Sequence, residues 1–420
     1  MSKVTKRQGF GIVFLAFAIM LAASVLAFAA SEKISYNSYM SGGVWEAKDN
    51  QIVQLFTENN PDIQVEHSVV THEDFKNLLR VWLVSSAPPD VLTWFGGERL
   101  RYFAEKGLIA DIGGIWTEYG LDQVFSEGIK DACKDQGNYY FIPLSEDVWA
   151  VFYRTDIFEE LGLTPPQTWD QFVEVCAAID EAGYVPLSIG TRYNWTAAAW
   201  FDYLDLRING PEFHLRLMSG EARYDSPEVR KVFEYWKQIL PYFLSNHTSY
   251  SGDQSTDFVI RGKAAMILQG NWITESYPAE RLETELGFFP FPTIDPDVPL
   301  SEEVPIDGYL MASNALNREP AGRFLAFLAS REAQQIVADY DVVARPDVTY
   351  PDTPSGRFTR RLVEEVVEPA EYVTQFYDRD TTPPMAETGM NYFVKFMVYP
   401  DQLDDILEDL EKARQENFGE

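Results

Sequence analysis

Two spacings of apolar residues alternate along the chain. Residues 34–40 read as a strand, Ser41-Gly42-Gly43 as a loop and 44–59 as a helix. Asn60-Pro61-Asp62 turns the chain, because proline fixes φ and Asn and Asp suit turn conformations. Residues 63–70 form a second strand, with Ile63 and Val65 alternating with polar partners. Residues 73–85 place Phe75, Leu78, Leu79 and Trp82 on one helical face. Ala87-Pro88-Pro89 stops that helix, and 90–94 is a third strand. The opening is thus β-α-β-α-β, the pattern of a layered α/β lobe with a largely parallel sheet.

The alternation continues. Gly96-Gly97 leads into a helix over 98–106, and residues 139–144 and 147–154 are rich in Val, Ile, Phe, Tyr and Trp. Helices are predicted over 156–162 and 169–181, the second with Thr168 as its N-cap. A short strand covers 187–190, and 196–240 is helical with breaks. Strands follow at 286–292 and 306–313, separated by a Pro- and acid-rich loop over 295–305. Helices are predicted at 320–329, 331–340 and 400–417, the last amphipathic and acidic.

Residues 261–272 compress three events into twelve positions. A helix ends at Gly262, where glycine tolerates a left-handed cap. A short apolar strand covers 264–268. Gly270 and Asn271 then turn the chain and deliver Trp272 just past the strand end. In open α/β sheets ligands sit outside the carboxyl ends of strands.

Charge and composition narrow the picture. Lys3, Lys6 and Arg7 precede an apolar run over 11–28, and Ala27-Phe28-Ala29 has the small residues a signal peptidase needs. Residues 1–30 are therefore expected to be a secretory signal peptide, cut near Ala29 or Ala30. No cysteine lies near that cut, so no lipid anchor is expected. The formal net charge is −31, and removing those three cations leaves −34, which argues against nucleic acid as a partner. Roughly 390 mature residues suggest two domains or lobes. Cys133 and Cys176 are the two cysteines; in an exported protein they could pair, or remain buried thiols. The four histidines form no HExxH or Cys/His cluster, so no metal and no cofactor is expected.

Seven segments, read in order, resemble an extracellular solute-binding protein of an ATP-binding-cassette importer, in the carbohydrate group that includes maltose-binding protein. They are Asn60-Pro-Asp-Ile-Gln-Val65, Pro89-Asp-Val-Leu92, Gly107-Leu-Ile-Ala-Asp111, Tyr140-Phe-Ile-Pro-Leu144, Tyr153-Arg-Thr-Asp-Ile-Phe158, Pro166-Gln-Thr-Trp-Asp170 and Gly262-Lys-Ala-Ala-Met266 with Gly270-Asn-Trp272. The resemblance implies an α/β two-lobe periplasmic-binding-protein fold, with ligand between lobes joined by hinge strands. It places the first lobe at 31–144 plus 308–340 and the second at 145–307 plus 341–420. Pro143 beside a crossover strand would stiffen the hinge. It also implies a periplasmic monomer that delivers a mono- or oligosaccharide to the permease subunits in the membrane, without catalysis.

A sugar presents C–H faces and a rim of hydroxyls, so its site needs flat rings and side chains that hydrogen-bond. Trp272 is the first candidate: the resemblance implies a stacking ring here, with Asn271 where the relative has proline. Asp147, or Glu146 one residue away, falls where the relative contributes a carboxylate. Trp94 ends a strand ahead of Gly97, which allows close approach of backbone to ligand. Trp195 or Tyr193, with Asn194, lies in a loop that carries stacking rings in the family. Asp307 stands where the chain recrosses to the first lobe, beside Gly308. Ser41 and Glu46 follow the first strand and could equally serve as turn and helix cap. Glu387 lies in a late loop that the resemblance brings to the cleft. Two other readings stay open. A secreted glycoside hydrolase would need two carboxylates roughly 5–10 Å apart, and no motif marks such a pair. The same receptor fold could also take a polyamine or peptide, which the acidic charge permits.

Overall fold

The computed structural model describes residues 32–338 and 341–419; the predicted signal segment lies outside them. The strands in chain order are β1 (Glu32–Ser38), β2 (Ile63–Val69), β3 (Val91–Phe95), β4 (Lys134–Asp135), β5 (Asn138–Tyr139), β6 (Ile142–Glu146), β7 (Trp149–Arg154), β8 (Val185–Ser188), β9 (Ala264–Gly270), β10 (Leu286–Phe289), β11 (Ser301–Glu303), β12 (Ile306–Met311) and β13 (Tyr372–Thr374). Two larger sheets organise two lobes: β2-β1-β3-β12-β6 and β10-β7-β9-β8.

In the first sheet β1 runs parallel to β2 and β3, as the β-α-β-α-β opening predicts. β12 is antiparallel to both β3 and β6. The sheet is therefore mixed, because β12 enters from the other lobe rather than through a helical crossover within this one. Its core joins Ile34, Phe56, Leu79, Leu92, Leu310 and Phe324. The second lobe is centred on β9, buried at all seven positions between β7 and β8. That placement explains an apolar run without alternation. Helices Trp169–Glu181 and Trp195–Ile208 pack there with the C-terminal helices Pro383–Val398 and Leu403–Phe418. The first of these has a reciprocal capping box, Thr168 with Gln171.

Cys133 is buried in the first core and Cys176 in the second, and both are free thiols. The proline-rich stretch predicted as loop contains β11, which pairs with β13. Its alternation is hidden because all three residues are buried, Glu302 and Glu303 included.

Three segments cross between the lobes, and their backbones are stitched together. Asp147 N–H donates to Pro305 C=O at 2.8 Å, Glu146 N–H to Val342 C=O at 3.0 Å and Ala344 N–H to Leu144 C=O at 3.1 Å. Pro143 C=O accepts from Gln334 Nε2 at 2.8 Å. The hinge is thus a short ribbon whose register is set by backbone hydrogen bonds.

The second lobe buries several ionisable groups. His214 Nδ1 lies 3.0 Å from Asp205 Oδ2, both fully buried. Burial pulls the imidazole pKa down, but the hydrogen bond to Asp205 and the charge of Asp202 outweigh it and raise it from 6.5 to about 9. A raised histidine stabilises the fold fully below its unfolded pKa and loses that contribution as pH rises through the folded one. Burial also raises Asp202 from 3.8 to about 7, so its own contribution falls mainly below that pH and adds little above it. Thermal denaturation should therefore show stability falling as pH rises from 6.5 towards 9, by on the order of 1–3 kcal/mol. His214→Gln should flatten that limb. A wild-type profile that climbs over this range contradicts the assignment.

Candidate functional site

The turn after β9 builds an aromatic wall on the second lobe. Gly270 pairs with Trp149 across β7. A Cβ on Gly270 would overlap the Trp272 indole, so the missing side chain lets that ring fold back over the strand end. Trp149 and Trp272 meet edge to face at 5.1 Å. Trp195 joins them 6.1 Å from each centroid, and Phe376 stacks on Trp149 at 5.0 Å. A Cβ on Gly252 would come within 3.1 Å of the Trp195 ring, so a second glycine seats the third tryptophan. Trp272 and Trp195 are half-buried. Trp149 is 2 % exposed, and its indole N–H is buried without a hydrogen-bond partner among the described residues.

Charge gathers at the lobe boundary. Arg379 is buried and lies 4.5 Å over the ring of Phe95, on the first lobe. Its guanidinium donates to Asp307 Oδ1 at 2.6 Å and reaches Asp147 Oδ2 at 3.5 Å. Tyr39 O–H donates to the other oxygen of Asp307. Burial and the neighbouring charge of Asp307 push the Asp147 carboxyl well above its usual range, against the pull of Arg379. Next door, Arg99 Nη1 donates to Asp378 Oδ2 at 2.7 Å. One short segment of the second lobe, Tyr377–Asp380, is therefore gripped from the first lobe at two successive residues.

A second charged group lies beside this one. Lys48 is fully buried, with its ammonium 3.2 Å from the centroid of Trp45. Burial lowers its pKa, while the charges of Asp341, Asp49, Glu275 and Asp147 act to raise it. Lys48 Nζ, Glu275 Oε1 and Asp341 Oδ2 are buried and lack hydrogen-bond partners among the described residues. Such atoms cost roughly 1–3 kcal/mol each when left unpaired. They come from a first-lobe helix, the turn after β9 and the third crossing segment.

Trp195, Trp272, Asp147 and Asp307 are thus drawn to one boundary between the lobes. Other predicted residues are used differently. Trp94 packs inside the first core against Phe75, Phe95 and Phe103, and its indole N–H donates to Arg99 C=O at 3.2 Å. Gly97 has φ +70°, and a Cβ there would overlap Arg379 C=O; what approaches this glycine is the protein's own chain. Asn271 is buried with both ends of its amide engaged, accepting from Val148 N–H at 2.9 Å and donating to Asp341 Oδ1 at 2.6 Å. It ties the turn to the hinge. Asn194 precedes the helix Trp195–Ile208 and donates to Asn391 rather than capping that helix. Ser41 is exposed, and the helix after it starts from Gly42 without a side-chain cap. Glu387 is exposed on the helix Pro383–Val398, not in a loop, since Pro383 and Pro384 occupy its first turn.

Lys48, Trp149, Arg379, Glu275 and Asp341 escape sequence reasoning. Lys48 carries a signal: it stands four and eight residues before Ile52 and Phe56, in phase with the buried face of its helix. Trp149 could have been found only by its pairing with Gly270. Arg379 has no local signal, because both of its carboxylate partners are distant in sequence.

Two lobes, a three-segment hinge and a polar-aromatic boundary between them define a two-lobe binding protein. The bacterial extracellular solute-binding protein family matches residues 42–335, and the chain belongs to that family. It is similar to the solved bacterial solute receptor AcbH, described as having an exclusive preference for β-D-galactopyranose. Identity is 27 %, the TM-score is 0.86, and the match covers 93 % of this chain and 100 % of the other. An ABC transporter extracellular-binding protein of Pyrococcus horikoshii is 23 % identical over 79 % of this chain and 75 % of its own length. The osmoprotective compounds-binding protein GgtB of Synechocystis is 23 % identical over 83 % and 84 %. Among the described residues, no helix is long and apolar enough to cross a membrane.

The glycine that seats Trp272 offers a test. Gly270→Ala should displace the indole and lower stability by about 1–3 kcal/mol, the usual cost of overpacking. Chemical denaturation with tryptophan fluorescence reads both effects. An unchanged midpoint and spectrum would place the ring elsewhere.

Proposed function

We propose that this protein is the sugar-binding receptor of an ABC importer. It holds a mono- or oligosaccharide between its lobes and presents it to a membrane permease as an exported, periplasmic protein. The observation that carries this reading is the wall of Trp149, Trp195 and Trp272 beside buried carboxyl, ammonium and guanidinium groups. Flat rings suit the C–H faces of a pyranose, and charged groups hydrogen-bond its hydroxyls more strongly than neutral ones do. The sugar named for the AcbH receptor supports the same ligand class.

The site works by differential contact. Groups from both lobes meet only when the lobes are together, so a ligand that touches both favours closure. Arg379 and Arg99 bring the segment Tyr377–Asp380 against the first lobe in that arrangement. The roles proposed are stacking for Trp272 and Trp195, hydroxyl recognition for Asp147, Lys48, Glu275 and Asp341, and positioning for Asp307 and Arg379. No chemistry is assigned to the carboxyls, and the binding proteins it resembles support a receptor rather than a hydrolase.

A thermal-shift screen over a sugar library tests the function. A true ligand at 100 times its dissociation constant should add about 2.7 kcal/mol. A shift with spermidine or a peptide, and with no sugar, would overturn the ligand class. With the sugar found, Trp272→Ala should weaken calorimetric affinity at least about tenfold, or ~1.4 kcal/mol, while leaving the fold intact. Unchanged affinity would remove Trp272 from the site.

A further inference from the structure

The charges at the lobe boundary do not balance. Four carboxyl groups, Asp147, Glu275, Asp307 and Asp341, act on one another and on two cations, Lys48 and Arg379. Arg379 is engaged by Asp147 and Asp307. Lys48 is left to offset Asp49, Glu275 and Asp341, and its ammonium makes no hydrogen bond among the described residues. Glu275 Oε1 and Asp341 Oδ2 are each a buried oxygen without a partner among the described residues.

A buried carboxylate short of counter-charge has two remedies. It holds a proton, or it receives a cation. Burial favours the first remedy, pushing Glu275 well above its ordinary range and Asp341 up to about 6. A neutral sugar hydroxyl would supply a hydrogen bond but no charge. A ligand ammonium would supply both, with N–H donors for the two unpartnered oxygens. Lys48 does not forbid this, because one cation leaves one of the two carboxylates uncompensated.

We propose that the ligand is a cationic polyol, an amino sugar, whose ring lies on the tryptophan wall and whose ammonium is received by Glu275 and Asp341. The proposal rests on the sugar-receptor reading above and narrows it to one charge class. It also gives the unpartnered Lys48 ammonium and Trp149 indole N–H a use, since the remaining hydroxyls of the same ring can accept from them.

Isothermal titration of the whole protein near neutral pH decides it, with glucosamine, galactosamine, their N-acetyl forms and the parent hexoses as probes. Each N-acetyl form keeps the ring and removes the charge. The expected result is binding of at least one amino sugar about tenfold or more tighter than its N-acetyl form and its parent hexose. Glu275→Gln should shrink that ratio, and circular dichroism should show the variant folded. Equal or tighter binding of a neutral sugar by the wild-type protein overturns the charge assignment and leaves the sugar-receptor function standing. Failure of all these probes overturns the charge assignment, and failure of every member of the sugar library as well overturns both.

Discussion

The structure turns on one buried interaction, the contact of Arg379 with Asp307 and Asp147. Asp307 is the second residue of the strand that returns to the first lobe, Asp147 lies on the first crossing segment, and Arg379 belongs to a segment packed on the second lobe. A guanidinium so placed must be paired, since an isolated buried charge costs several kcal/mol. Its two acceptors therefore hold hinge and lobes in one arrangement. Gly97 is glycine so that the backbone of Arg379 can come close enough. Tyr39 completes Asp307 from the end of the first strand.

From this contact the site follows. With the lobes together, the tryptophan wall lies beside a polar boundary in which several atoms have no partner among the described residues. Such atoms are expensive in a folded core and useful in a receptor, because a ligand that satisfies them contributes what the empty site forgoes. The same arithmetic explains why a hydrophilic ligand can favour closure: each hydroxyl replaces a penalty rather than adding a contact to a satisfied surface.

The local parts of this arrangement were legible in the sequence. The Thr168 cap and the glycine before Trp272 each depend on residues within one turn of one another, and the alternating strand and helix spacings that imply parallel pairing are local too. What escaped depends on distance. Gly97 looks like a ligand-facing glycine until Arg379 is seen against it, and Asn271 looks like a free amide until the hinge is seen to occupy it. Trp94 lies one residue before the end of its strand, and the helix that follows covers its ring. Lys48 lies between the two cases: its phase with Ile52 and Phe56 announces burial, but nothing nearby announces which carboxyls share it.

The claim that closure and ligand binding are one event has a direct measurement. Arg99 and Asp378 pair across the lobes at 2.7 Å. A double-mutant cycle on Arg99→Ala and Asp378→Ala, read as calorimetric affinity for the sugar that gives the largest thermal shift, isolates their coupling. Each single variant should weaken binding and the double variant should be little worse than either, with a coupling of about 1–3 kcal/mol. Single variants that bind as tightly as the wild type would mean that this grip on the first lobe contributes nothing to the bound state.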